Sequence, residues 1–123
     1  MPAFELIEDR HAVYRETDAR SMIVDNCWNG GVVIGAGASG PIPHLIGIGG
    51  FLTINGRKVS AGRAEDPYAT LAWLANLLAG RGRSLTAGMV VITGSVVATE
   101  SVAPGDRVVF AVDGLGEVVI EIA

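Results

Sequence analysis

A hard divalent cation such as Mg²⁺ asks for two or three carboxylates in near-octahedral geometry, with waters or substrate oxygens completing the shell. Two carboxylates on one strand meet that demand at spacing i, i+2, because alternate side chains share a face. The chain has no Glu-x-Glu anywhere. Glu16-Thr17-Asp18 has the spacing but lies in a polar stretch that reads as a solvated loop. Glu117 and Glu121 share one face of a carboxy-terminal strand, most simply its solvent side. Glu5 stands alone in the apolar run Ala3-Phe4-Glu5-Leu6-Ile7, and by its surroundings alone reads as an acid facing water on an edge strand.

Other patches carry chemistry of different kinds. Thr93-Gly94-Ser95 follows an apolar run, where a hydroxyl and backbone N–H groups can hold a carboxylate; a strand end closed by small polar residues is an equally good reading. Gly35-Ala36-Gly37-Ala38-Ser39-Gly40 spells G-x-G-x-x-G after a plausible strand. Pro41 and Pro43 then stand where a phosphate-carrying helix should begin, and the next acid is Glu65, so a glycine loop is expected and no nucleotide cofactor. His11 and His44 are isolated and read as surface or loop residues. Cys27 reads as a small buried hydrophobe; the sequence leaves its reactivity open.

These residues must be positioned by short elements. Ala3 to Ile7 reads as a strand, and Glu8 to Arg20 as a loop or frayed helix. Gly31 to Gly35 is β-branched and bounded by glycine. Leu45 to Ile54 and Lys58 to Ala61 flank Asn55-Gly56, the signature of a type I′ hairpin turn. Asp66-Pro67 reads as an N-cap with proline at the first helical position of a helix running to about Ala79, ended by Gly80 and Gly82. Leu71, Leu74 and Leu78 recur on one face and Trp73 with Leu77 on the next, which predicts cover on both sides. Met89 to Thr93, Arg107 to Val112 and Glu117 to Ile122 read as three further strands. One helix among about six strands predicts an α+β, mainly β fold of mixed pairing, in one domain spanning 1–123.

With 123 residues, half of them hydrophobic, the chain is long enough to bury a core. A net charge of −4 with scattered basic residues gives no stripe for tracking phosphates, so nucleic acid is not an expected partner. No run approaches eighteen apolar residues, the start lacks a basic-then-apolar leader, and the single cysteine suits a reducing compartment. A cytoplasmic protein without membrane contact is expected.

The start of the chain, taken with Val24-Asp25-Asn26, Asp66-Pro67 ahead of Leu71-Ala72-Trp73-Leu74-Ala75-Asn76, Ile92-Thr93-Gly94-Ser95 and Pro104-Gly105-Asp106, resembles the carboxy-terminal half of the 2-hydroxydienoate hydratases. These belong to the fumarylacetoacetate hydrolase superfamily and include the 2-oxopent-4-enoate and 2-oxohept-3-enedioate hydratases. The resemblance runs through nearly the whole chain in order. It implies the superfamily's β-roll-like sheet of short strands with one long helix at about 67–79, lacking the family's amino-terminal half.

It also implies a site. In the hydratases Mg²⁺ or Mn²⁺ is held by a Glu-x-Glu pair and a third Glu in a Pro-Ala-x-Glu segment, and Glu5 matches that third ligand. The pair, with a proton-transferring Lys and acid, belongs to the half that would lie upstream of Met1. Asp25 and Asn26 match a substrate-side Asp-Asn, although Cys27-Trp28-Asn29 replaces the small residues that usually follow, and a Trp there would narrow or fill the pocket. Thr93, Gly94 and Ser95 match the segment that holds the substrate carboxylate. Gly62-Arg63-Ala64-Glu65 departs from the family's Leu-x-His ahead of the helix.

Three readings follow from the resemblance. The first is a domain adding water to a 2-hydroxy-2,4-dienoate to give a 4-hydroxy-2-oxoacid, incomplete without a partner chain supplying the other half. The second is a non-catalytic descendant that self-associates or binds a small 2-oxo or 2-hydroxy acid. The third is the related decarboxylase branch, acting on 4-oxalocrotonate. Apolar surface left open by the missing half predicts a homo-oligomer.

Overall fold

The computed structural model describes residues 1–123. Its strands are β1 (Ala3–Ile7), β2 (Asn29–Ile34), β3 (Gly49–Ile54), β4 (Arg57–Arg63), β5 (Arg107–Val112) and β6 (Gly116–Glu121); its helices are α1 (Ala19–Val24) and α2 (Pro67–Ala79). The mainly β fold with one long helix is as the residues imply. β4-β3-β5-β6 form a four-stranded sheet and β1-β2 a separate two-stranded ribbon. Every pairing is antiparallel rather than mixed, and tight hairpins impose this on β3-β4 and β5-β6.

The hairpin at Asn55-Gly56 forms as its chemistry dictates, with φ of 52° and 77° at the two central residues. Asn55 does a second job: its Nδ2 donates to Asp106 Oδ1 at 2.7 Å, and its Oδ1 accepts from the Arg107 N–H at 2.9 Å. Asp106 also accepts from the Ala103 N–H at 2.8 Å, so one carboxylate ties the β3-β4 turn to the start of β5.

The Ala103 N–H first, and the Asn55 amide second, hold the Asp106 carboxyl below its ordinary value. A folded-state value depressed below the unfolded one contributes stability that is present above the unfolded value and lost as pH falls through the folded one. Wild-type melting temperature should therefore fall more steeply below about pH 4 than that of Asp106→Asn. Thermal melts between neutral and acid pH check this; parallel curves would mean the carboxylate is not held in this way.

Only seven of 123 residues are buried, a thinner core than a half-hydrophobic composition leads one to expect. Leu52, Val108, Phe110, Val112 and Val118 form it, and all come from β3, β5 and β6. The ribbon lies across this face: Phe4 packs on Phe110 with ring centroids 6.2 Å apart, and Val33 adds to the contact. Gly35, the first glycine of the G-x-G-x-x-G run, lets the ribbon close on β6, since a Cβ there would stand 2.6 Å from the Glu117 carbonyl oxygen. The segment beyond it, through Leu45, is irregular.

Two expectations about apolar segments are corrected. Met89 to Thr93 is not a strand: it has no ladder partner, and Met89, Val90 and Ile92 are exposed. The segment forms no ladder although β4 has an unpaired edge, so β propensity alone does not make a strand. The helix runs over the residues anticipated, with Asp66 accepting from the Tyr68 and Ala69 N–H groups. It is not covered on both sides, since none of its residues is buried and Trp73 is 64% exposed. No helix is long and apolar enough to cross a membrane.

Candidate functional site

A cleft of about 950 Å³ lies between β1 and the irregular segment from Gly94 to Val102, with Leu52, Val108 and Phe110 at its floor. Glu5 is on its β1 wall. A bulge between Leu6 and Ile7 sets Asn29 opposite Ile7, and from there the Asn29 Nδ2 donates to Glu5 Oε1 at 3.0 Å. The contact orients the carboxylate from the neighbouring strand. Sequence reasoning missed Asn29, because only the register of β1 on β2 brings it within reach of Glu5.

Gly94 and Ser95 line the opposite wall, so the structure brings Glu5 and the Gly94-Ser95 pair to one cleft. The Ser95 hydroxyl donates to the Val97 carbonyl within its own turn. Thr93 lies just outside, in a smaller and more polar cleft shared with Arg63, Asp66 and Thr70; Gly94 and Ser95 border both. The wall is held against β4 by two contacts. The Ala98 N–H donates to Ser60 Oγ at 3.2 Å, and the Val96 carbonyl sits where a Cβ of Gly62 would be. Gly62 is another residue the sequence did not single out, since a close approach between distant segments leaves no local signal.

Glu8, Asp9 and Glu100 also line the large cleft, and none of its lining residues is Lys, Arg or His. The result is a cleft with an apolar floor and an acidic rim. It attracts cations and disfavours an organic anion that arrives without one. The acids are nonetheless dispersed: no three His, Cys, Asp or Glu residues are grouped to hold a metal ion. Glu5 with its amide partner is a single donor, and a divalent ion that gives up its waters reluctantly is not fitted by one carboxylate.

Asp25 and Asn26 lie outside both clefts. Asp25 pairs with Arg10, Nη1 to Oδ1 at 2.7 Å. Asn26, Cys27 and Trp28 follow with φ of 50°, 52° and 59°, three successive non-glycine residues in the left-handed region. Each such residue costs about 1–2 kcal/mol. The Glu8 N–H donating to the Trp28 carbonyl at 2.9 Å and the edge-on packing of Trp28 against Tyr14, 4.8 Å between centroids, hold the turn in place. Trp28 therefore does not fill the cleft; it supports Tyr14, which lines one end. Cys27 is exposed rather than buried, because the left-handed turn lifts it off the ribbon. His11 and His44 are exposed, as expected.

The remaining acids have structural work. Asp18 caps α1 by accepting from the Ser21 N–H and hydroxyl, both at 2.8 Å, and these bonds hold its carboxyl below its ordinary value. Glu117 and Glu121 lie on the exposed face of β6.

Comparison with known proteins agrees with this fold. Residues 7–123 match the family model described as the fumarylacetoacetate (FAA) hydrolase C-terminal domain. A 4-oxalocrotonate decarboxylase of Pseudomonas putida is 32% identical across 96% of this chain and 46% of that protein. A 2-hydroxyhexa-2,4-dienoate hydratase of Comamonas testosteroni is 28% identical across 94% of this chain and 45% of that protein. The solved structure of 4-oxalocrotonate decarboxylase from Pseudomonas putida G7 with magnesium and adipate superimposes with a TM-score of 0.86 at 31% identity, over 99% of this chain and 48% of that one. The same enzyme with calcium and acetate gives 0.83 at 32% identity, over 99% and 47%. The chain spans about half the length of the relatives it matches.

Proposed function

Because this chain belongs to the fumarylacetoacetate hydrolase family, we propose that it provides one half of a hydratase-like, divalent-metal-dependent site for 2-hydroxy-2,4-dienoates or related 2-oxoacids. The observation that carries the reading is the cleft with Glu5 on one wall, Gly94-Ser95 on the other, an acidic rim and no cationic side chain. An acid substrate enters such a cleft in the company of a cation, and a relative solved with magnesium and adipate and again with calcium and acetate supports that pairing. Glu5 contributes one oxygen donor, Mg²⁺ or Mn²⁺ being the ion expected, and the other donors come from outside this chain. Ser95 turns its hydroxyl from Val97 to the substrate carboxylate, beside the Gly94 and Ser95 N–H groups.

Decarboxylation is the second reading, supported by the activity for which the Pseudomonas relatives are named. Both reactions build enolate-like charge beside the substrate carboxylate, so the same half-site serves either. A binding protein without catalysis is the third.

Dienoate hydration and 4-oxalocrotonate decarboxylation should be assayed with Mg²⁺, using the chain alone and the chain with a separately expressed amino-terminal half of a relative. No turnover is expected alone. Turnover should appear with the second chain and drop by about 10²–10³-fold in Glu5→Gln, the range for losing one preorganised group at a charged reaction centre. Activity of the isolated chain that vanishes in Glu5→Gln would refute the half-site. Silence in both arrangements, with acid binding retained, would favour the binding protein.

A further inference from the structure

We propose that Arg63 holds the far carboxylate of the substrate, so that the acid this chain serves is a 2-oxo dioic acid rather than a monoacid. The inference rests on the half-site reading above, in which a cation on the Glu5 side meets the first carboxylate and the 2-oxygen. A second carboxylate needs a positive partner of its own, since a charge taken out of water is costly unless paired. The large cleft offers none, and Glu8, Asp9 and Glu100 on its rim repel a further anion. The adjoining cleft, of about 350 Å³, contains Arg63, the one cationic side chain that lines either of them.

Arg63 is both fixed in place and free to bind. It is the last residue of β4, and its Nη1 donates to the Gly47 carbonyl at 2.8 Å, which anchors the guanidinium and leaves most of its N–H donors open. Glu65 and Asp66 line the same cleft, yet neither pairs with it, the chain's ion pair being Arg10 with Asp25. Asp66 is engaged by α2, accepting from the Tyr68 and Ala69 N–H groups at 3.0 Å each. Glu65 is exposed, and water screens its repulsion more than it weakens a direct bidentate contact. An anchored planar fork without an acid partner matches a carboxylate through two parallel hydrogen bonds, and the Thr93 hydroxyl in the same cleft can donate a third.

The two clefts meet along Gly94, Ser95 and Val96, which border both. At Gly94 no atom stands within 4 Å of where a Cβ would be, and its φ of 118° suits glycine. A hydrocarbon chain can therefore cross beside Gly94 from the metal side to Arg63. One end of a dioic acid then meets the cation at Glu5 and the other meets the guanidinium, while a monoacid leaves Arg63 without a partner. The segment Gly62-Arg63-Ala64-Glu65, which departs from the hydratases' Leu-x-His, acquires a role in this arrangement.

Isothermal titration calorimetry of the full chain, with Mg²⁺ and the separately expressed amino-terminal half, tests this with 2-oxohexanoate and 2-oxohexanedioate, two acids that differ only at the far end. The dioic acid should bind about 10–100-fold tighter, the range for one charge-assisted contact. Arg63→Gln should bring it to the level of the monoacid and leave the monoacid's affinity unchanged, and Arg63→Lys should keep part of the preference. A purely structural role for Arg63, through Gly47, would weaken both acids alike. The proposal is overturned by equal affinity for the two acids, by a preference that survives Arg63→Gln, by loss of both acids in that variant, or by binding of neither. Equal affinities with turnover that still needs Glu5 would sink the Arg63 contact and spare the half-site. An Arg63-dependent preference without any turnover would spare the contact and sink the catalytic reading.

Discussion

Phe110→Ala should remove at least half of the stability of this chain. Phe110 is 8% exposed, lies at the centre of the five-residue core, and is the surface on which Phe4 seats the ribbon. Truncating a buried phenylalanine costs about 3–5 kcal/mol, and a domain of this length has about 6–18 kcal/mol in total. With so little else buried, stability belongs near the lower end, and one such loss removes most of it. Urea unfolding followed by far-UV circular dichroism measures the cost, and Trp28 fluorescence in a Trp73→Phe background reports separately on the turn beside the ribbon. Phe110→Leu keeps most of the volume and should cost less than about 1.5 kcal/mol. A cost below about 1 kcal/mol for the alanine variant would mean that the ribbon is not seated on this face.

Gly62→Ala should damage the site while leaving the fold in place. The added methyl meets the Val96 carbonyl, and backbone on both sides prevents either from yielding locally. The segment from Gly94 to Ala98 must then move off β4 and release the Ala98 hydrogen bond to Ser60. Overpacking of this kind costs about 1–3 kcal/mol. The larger effect falls on function, since displacing a substrate-positioning group by 1 Å can cost about 10²-fold in rate. In the two-chain assay Gly62→Ala should lose activity on that scale while its far-UV spectrum stays that of the wild type. Full activity with unchanged stability would show that Gly62 does not fix the cleft wall.

The two variants separate what holds the fold from what holds the site. The five core residues belong to a sheet built from short-range hairpins plus one long connection. The cleft depends on an irregular segment that makes its closest approach to that sheet beside a glycine. A chain organised in this way can lose its site with little change in its spectrum.

Much of this was legible in the residues. Asn55-Gly56 specified its turn because both central positions require positive φ, and Asp66-Pro67 specified the start of α2 because a cap and a pre-set φ are local properties. The ordered set of motifs implied the family, and the match over residues 7–123 shows it. What local chemistry could not determine was which segments find a partner. Met89 to Thr93 has strand propensity but joins no ladder, and α2 has two apolar faces of which neither is fully buried.

The candidate site divides in the same way. The residue types at Glu5 and Gly94-Ser95 were readable, being carboxylate, small residue and hydroxyl, whereas Asn29 beside Glu5 and Gly62 beneath Val96 were not. Asn29 depends on strand register and Gly62 on two segments more than thirty positions apart touching without a side chain between them. The sequence by itself determined turns, caps and the alternation of the strands, since those are set within a few bonds of each residue. Tertiary structure alone decided that the carboxylate stands across a cleft from the hydroxyl, because that distance is fixed by how the ribbon lies on the sheet.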